Sequence, residues 1–489
     1  ATVALPPVST SSSHEPQRRA VAELLRIAPV IDELGARFVA SGEQIALVGG
    51  SVRDALLGRL GKDLDFTTTA RPEQTERLLA GWADAVWDVG RAFGTIGARK
   101  GDQQIEITTY RADSYASDSR KPEVRYGDSL EGDLLRRDFT VNAMAFTLPD
   151  KRFVDPFGGL DDIGRKLLRT PGRPEDSFTD DPLRMMRAAR FASQLGFQVA
   201  PEVSRAIQEM TDRIEIVSAE RVHDELIKLI CGAHPRAGLE LLVDSGLAAK
   251  VLPELPGLRL EVDEHHRHKD VYEHTLIVLE QSIELEDRIG DGPDFVSRFA
   301  ALMHDIGKPA TRRFEDGGRV TFHHHEVVGA KITRKRMRAL KFSKDMIDDV
   351  SRLVELHLRF HGYGGGEWTD SAVRRYVRDA GPLLSRLHVL TRADCTTRNK
   401  RKAAALQRTY DQLEERIARL AEEEELAAIR PDLDGNEIMK ILGIAPGRLV
   451  GRAWNHLLEV RLDQGPLDHE AAKAELLRWW AEQPESSDE

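Results

Sequence analysis

The 489-residue sequence has only two cysteines, Cys231 and Cys395, so no disulfide framework organises the fold, and a reducing, cytoplasmic setting is the simplest expectation. It has no apolar run of the ~18 residues that a membrane-spanning helix needs. No basic stretch leading into an apolar segment opens the chain, so no secretory signal is expected. Positive charge is not in excess: 70 Lys and Arg stand against 81 Asp and Glu, a net charge of −11. That balance excludes a globally basic coat for nucleic acid but leaves room for local basic strips. A Walker phosphate loop, a dinucleotide fingerprint and internal repeats are absent too. What is present is material for real cores, with 41% hydrophobic and 31% charged residues. Single cores stop growing near ~250–300 residues, so several domains are expected.

The patterning predicts an α+β protein: a mixed α/β head at 18–165, then a largely all-α remainder, with a neck at 166–255, a His- and Arg-rich domain at 256–400 and a helical tail at 401–489. Residues 1–17, rich in Pro and Ser, read as disordered. Apolar spacing predicts one amphipathic helix over 18–40, with Leu24, Leu25, Ile27, Ile31, Leu34 and Phe38 on its apolar face. IALVGG reads as a strand entering a glycine turn, SVRDALLG as the following helix and DLDFTT as a second strand. A helix near 73–80 and strands near 95–99 and 104–110 follow, and the polar stretch 111–131 reads as a long loop. Helices are expected at 181–195, 201–210, 218–231 and 235–245, with a Pro/Gly break in LPELPGL. A charged helix at 401–427 leads to short helices over 433–475 and a frayed acidic end.

Chemistry first gathers around Asp63 and Asp65. Two apart on a strand, they share one face. Glu106 lies between Ile105 and Ile107, so alternation turns its side chain away from theirs. Three such carboxylates can hold two Mg²⁺ ions about 3.5–4 Å apart, activating an attacking hydroxyl and stabilising a pyrophosphate leaving group. Gly49 and Gly50 allow a tight turn close to a phosphate, and Arg53 is the expected charged contact. A DxD pair alone also occurs in turns and on exposed edges; the ordered spacing of GG, RD, DxD and a strand glutamate is what marks a site.

GGSVRDALLG with DLDFTT resembles the head of the class II nucleotidyltransferases, the group of bacterial tRNA CCA-adding enzymes and poly(A) polymerases. RRDFTVNAMAF at 136–146, DPLRMMRAARF at 181–191 and ERVHDELIKLI at 220–230 extend the resemblance over roughly residues 30–240. It implies metal-binding and catalytic roles for Asp63, Asp65 and Glu106, ribose and triphosphate contacts for Arg137, Asp138 and Asn142, and base reading by Asp181 and Arg184. Set three apart on an expected helix, the last two would present to one ligand edge. Arg187 on the same face would buttress Asp181 or touch phosphate. On capping chemistry alone, Asp180 or Asp181 would instead cap a helix with Pro182 at its first position.

A second constellation comprises His274, the adjacent pair His304 and Asp305, and Asp394. Nitrogen and oxygen ligands of this kind suit a divalent metal such as Mn, Fe, Ni, Co, Zn or Mg. His325 is the member of the His323–His325 run expected to ligate, and His357, four residues before His361, would add a second metal position. His265, His266 and His268 read as incidental. VYEHTLIVLE, ALMHDIGKP and DCTTR resemble the HD phosphohydrolase superfamily over about 260–400, which implies hydrolysis of phosphoesters by a metal-activated water.

KITRKRMRALKFSK at 331–344 holds seven basic residues and no acidic one, making Lys331, Arg334 and Arg338 candidate RNA contacts; RNKRK at 398–402 is a second run. Either run also fits a solvated helix face. The combined expectation is a transferase that adds CCA to the tRNA 3′ end from CTP and ATP, with Mg²⁺ in the head, a divalent metal in the HD domain and no membrane or protein partner. The rivals are a poly(A) polymerase, a partial CC- or A-adding enzyme and, from another class, an HD phosphohydrolase with an RNA-binding head.

Overall fold

A computed structural model describes residues 14–111, 127, 129–259, 270–317, 319–362, 368–424 and 429–483. His265, His266 and His268, most of the expected 111–131 loop and the acidic end lie outside them. The chain divides into two compact units, Ala1–Pro253 and Glu254–Glu489.

The first unit opens with helices. His14–Arg26 begins inside the stretch expected to be disordered, so residues 14–17 are helical. The single helix expected over 18–40 is two, because Ile27 leaves helical geometry and Pro29 opens a second helix, Ala28–Ala40. A proline is well placed there, since its missing N–H falls where a helix start has no acceptor to offer. Of the expected apolar face, the structure buries Leu24, Ile27, Ile31, Leu34 and Phe38 but not Leu25, which is 66% exposed.

Seven strands follow: β1 (Ile45–Val48), β2 (Asp63–Thr68), β3 (Ala85–Gly90), β4 (Thr95–Lys100), β5 (Gln103–Thr109), β6 (Ala145–Leu148) and β7 (Phe153–Val154). They form one sheet in the order β3-β4-β5-β2-β1-β6-β7. Only the β2–β5 pair is parallel among the strand pairs of this sheet. Leu64, Phe66, Ile96, Ala98, Ile105 and Ile107 are almost fully buried and line one face. Alternation therefore turns Asp63, Asp65 and Glu106 to the other face, with Asp65 paired directly to Glu106. Strand β3 has no counterpart in the expected elements: its AVWDVG sequence is exposed at Trp87, Asp88 and Val89 and shows no alternation of apolar and polar residues.

Helices complete this unit. The element expected at 181–195 is split: Pro174–Asp180 ends, Asp181 and Pro182 link, and Leu183–Leu195 begins. Ala219–Ile230 and Pro235–Asp244 pack on Leu183–Leu195.

The second unit is helical. Val271–Glu284, Phe295–Met303, His325–Ala339, Lys344–Leu356 and Leu384–Ala393 pack together. The charged helix is Lys400–Glu424. The tail holds Gly435–Leu442, Arg448–Gln464 and His469–Ala481, the middle one running 17 residues where short helices were expected. Ile438, Leu457 and Leu476 centre its small core.

Candidate functional site

The head site starts at the end of β1. Gly49 has φ +66, a left-handed conformation that favours glycine, and an added Cβ would lie 2.9 Å from Arg137 Nη1. Helix Gly50–Leu56 follows and presents Ser51, whose hydroxyl accepts from the Asp65 backbone N–H at 2.9 Å. This bond ties the DxD strand to the glycine turn.

A cavity of about 930 Å³ opens here. Gly49, Gly50, Arg53, Asp65, Arg137, Asp138, Asn142, Asp181, Arg184 and Arg187 all line it, so the structure brings the expected site residues to one place apart from Asp63 and Glu106, which share the sheet face with Asp65. Burial pushes the Asp65 carboxyl up, and Asp63 adds to this while Arg137 opposes it. Burial also raises Glu106, helped by the charges of Asp65 and Asp63. Repulsion among oxygen donors facing the same way is what a divalent cation relieves, so the donor set fits Mg²⁺ chemistry.

The cationic side of the cavity is cross-braced. Arg53 donates to Asn142 Oδ1 at 2.7 Å and to Asp54 at 3.0 Å, so the expected phosphate contact is already oriented by protein partners. Asn142 donates to Asp138 Oδ1 at 3.0 Å. Burial alone would raise Asp138, but Arg187, the Asn142 amide, Arg184 and Arg190 outweigh it and hold the carboxyl below its ordinary value. Arg187 lies 3.0 Å from Asp138 Oδ2, so of the two expected roles, buttressing Asp181 or touching phosphate, the first falls to another pairing: the carboxylate it braces is Asp138.

Asp181 and Arg184 do not share a helix face, because Asp181 sits in extended geometry ahead of the helix. Its Oδ1 accepts the Leu183 N–H at 3.2 Å, so the capping expectation holds, while its Oδ2 pairs with Arg221 at 2.9 Å. Arg184 donates to Ser177 Oγ at 3.0 Å and to the Arg136 carbonyl. Both still face the cavity. Arg136, Arg190, Phe191, Gln194, Arg221 and Lys228 line it too and were not singled out as site residues. Arg221 and Lys228 lie in the quoted ERVHDELIKLI segment, where helical spacing was the available signal.

In the second unit, His304, Asp305, His325 and His357 are buried together. His304 Nδ1 donates to the Ala301 carbonyl at 2.7 Å, His325 Nδ1 to Phe322 at 2.9 Å and His357 Nδ1 to Val354 at 2.6 Å. Each bond occupies Nδ1 and turns Nε2 into the cluster. Those three Nε2 atoms are buried without a hydrogen-bond partner, and Asp305 Oδ2, 3.0 Å from the Lys308 ammonium, faces the same space. Orphaned donors converging this way fit a metal ion.

Two groups bring ligand atoms within 4.8 Å of one another, His274, His304 and Asp305, and Asp305, His325 and His357. Among the described residues no other such group occurs, so the head carboxylates stand further apart. His274 Nε2 lies 3.0 Å from Asp394 Oδ1, which adds Asp394 to the first group. Burial opposes charge on His304, yet Asp305 and Asp394 raise it to about 10. His357 is pushed down to about 3 by burial and by His304. His323, His324 and His361 are exposed and stand outside the cluster.

The candidate RNA contacts separate. Lys331 and Arg338 are exposed, whereas Arg334 is held by Asp348 at 2.5 Å and Ser351 at 2.8 Å. Arg334 is thus committed to its own domain, a partnership supplied by the next helix in sequence.

Three family descriptions match the chain: "Poly A polymerase head domain" at residues 45–169, "Probable RNA and SrmB- binding site of polymerase A" at 196–258 and "HD domain" at 271–399. The A-adding tRNA nucleotidyltransferase of Deinococcus radiodurans is 34% identical over 90% of this chain and 96% of its own length. The CCA-adding enzyme of Bacillus subtilis is 44% identical over 45% of this chain and 53% of its own. The Bacillus stearothermophilus CCA-adding enzyme in complex with CTP shares the fold, with a TM-score of 0.64 at 24% identity over 95% of this chain and 97% of that one. Near full-length similarity to a tRNA nucleotidyltransferase, carried by a head with its carboxylates on one sheet face and an HD centre in the helical unit, places the chain in the tRNA nucleotidyltransferase family.

Proposed function

We propose that the protein completes the CCA end of tRNA, adding C, C and A to the 3′ end from CTP and ATP without a nucleic-acid template. The observation that carries this reading is the single cavity in which Asp65 meets the glycine turn, the braced arginines and the Asp181–Arg184 pair. Asp63, Asp65 and Glu106 would hold two Mg²⁺ ions, which supply charge neutralisation and activation of the attacking hydroxyl. Gly49 and Gly50 offer backbone approach to the triphosphate, and Arg53 and Arg137 offset its charge. Asn142 and Asp138 fix the Arg53 and Arg187 guanidinium groups so that they need not reorganise during transfer. The tRNA 3′ oxygen forms a bond to the α-phosphorus, the bond to the β-phosphate bridging oxygen breaks and pyrophosphate leaves.

Asp181 accepts and Arg184 donates, a complement to the Watson–Crick edges of C and A. Because the two bases present different patterns, the pair must exchange partners between additions, and the contacts to Arg221, Ser177 and the Arg136 carbonyl are what it would exchange. The segments 18–165, 166–255, 256–400 and 401–489 would then act as head, neck, HD domain and tail. The HD centre would hold a divalent metal and hydrolyse a phosphoester, and the setting would be cytoplasmic.

A second reading, addition of the terminal A alone, is favoured by one observation: the Deinococcus radiodurans relative, 34% identical over 90% of this chain, is an A-adding enzyme, whereas the Bacillus subtilis CCA-adding enzyme aligns over 45% of it. Extension of tRNAs ending at the discriminator base, at C and at CC, resolved to one nucleotide, separates the two. Growth from the discriminator base with CTP and ATP, stopping after A, supports CCA addition. Extension of the CC end alone supports the second reading, and a long adenosine ladder with ATP alone overturns both.

A further inference from the structure

Strand β3 carries two exposed apolar side chains, Trp87 and Val89, that do not line the nucleotide cavity. Trp87 and Val89 are 40% and 46% exposed, and Phe93, just beyond the strand, is 45% exposed. Register fixes which face Trp87 occupies. Asp65 pairs with Glu106 on β5, Glu106 with Gly97 on β4, and Gly97 with Trp87 on β3. Directly paired residues project to the same face, so the three carboxylates and the indole lie on one surface, Trp87 two strands from Glu106.

Gly97 makes room for this arrangement. A Cβ there would lie 2.5 Å from Trp87 Nε1 and 2.6 Å from Val89 Cγ2, so the indole lies across the bare backbone, close to the sheet. An exposed tryptophan flattened onto a sheet offers its ring face outward. The cavity's glycine turn lies on the β1 side of the carboxylates, whereas Trp87 lies on the β3 side. In-line transfer sets the attacking hydroxyl and the leaving pyrophosphate on opposite sides of the α-phosphorus, so a triphosphate seated at the glycine turn leaves the β3 side of the carboxylates for the acceptor.

We propose that Trp87 is the stacking platform for the last nucleobase of the tRNA acceptor end, a positioning residue that sets its 3′ hydroxyl beside Glu106 and Asp65. This rests on the nucleotidyl-transfer reading given above. Stacking on an aromatic ring tolerates every base, as the acceptor side must when the terminal residue changes after each addition. Phe93, which lines the cavity, extends the apolar surface toward the transfer point.

The test uses the full chain and a tRNA minihelix whose 3′-terminal base is 2-aminopurine. Wild-type binding quenches the fluorophore. Trp87→Ala removes the quench and raises the acceptor KM roughly 5- to 100-fold, with the CTP and ATP KM values unchanged. Trp87→Phe keeps most of both. Gly97→Ala, which leaves the indole present but lifts it from the sheet, reproduces the Trp87→Ala acceptor defect. Melting curves taken alongside establish that each variant is folded. If wild type extends the minihelix while Trp87→Ala keeps the quench and the acceptor KM, the platform is overturned and nucleotidyl transfer stands. If wild type extends no acceptor, the transfer reading itself fails.

Discussion

At the scale of single residues, the head depends on charges that brace other charges. Arg221, forty residues beyond Asp181, holds the second oxygen of that capping carboxylate at 2.9 Å. Arg221→Ala should leave Asp181 free to rotate, lowering kcat/KM for CTP and ATP about tenfold and raising misincorporation of other nucleotides, as measured by single-turnover addition with each nucleotide alone. Asp138 gives a pH signature. Its folded value lies below its ordinary one, so its contribution to stability is complete above about pH 4 and is lost as pH falls through the folded value. Denaturant midpoints measured between about pH 5 and pH 2 should fall more steeply for wild type than for Asp138→Asn.

Among elements, the helices Leu183–Leu195 and Ala219–Ile230 are joined by Arg190 and Glu225, 3.1 Å apart and both under 10% exposed. Burial and the neighbouring Arg187 push Arg190 down to about 10 even with Glu225 present. Glu225→Ala strands that guanidinium in the interior and should cost about 3 kcal/mol, read from chemical denaturation. In the second unit, Arg392 donates to Glu414 at 3.0 Å and Asp411 at 2.7 Å, fastening the helix that ends just before Asp394 to Lys400–Glu424. Both acceptors are partly exposed, so Arg392→Ala should cost less, about 1–2 kcal/mol, and should weaken divalent-metal retention by the HD centre, seen by metal analysis after dialysis.

For the whole molecule, the expected outcome is two chemistries that can be silenced separately. Asp63→Ala with Asp65→Ala should abolish nucleotide addition and leave any phosphoester hydrolysis intact. His304→Ala with Asp305→Ala should do the reverse and lower the divalent metal retained by the purified protein. A chelator should stop addition, and added Mg²⁺ should restore it.

Much of this was legible in the chain because local periodicity carries it. Alternation alone turned Asp63, Asp65 and Glu106 away from the buried isoleucines, and helical spacing plus prolines marked most of the helices. The adjacency of His304 and Asp305 is read directly from the chain, whereas it is the fold that buries His325 beside Asp305 and His357 and leaves His323 and His324 exposed. What local pattern did not carry was partnership at a distance: Arg187 with Asp138, Asp181 with Arg221, Arg334 with Asp348. Nor did it reveal strand β3, whose exposed AVWDVG stretch shows neither period. Side-chain direction follows from the residues on either side, so sequence determines it. Which charge meets which between separate elements, from 14 to 49 residues apart in these pairs, and which exposed indole lies in register with the carboxylates, is decided only when strands and helices from separate stretches of chain close on one another.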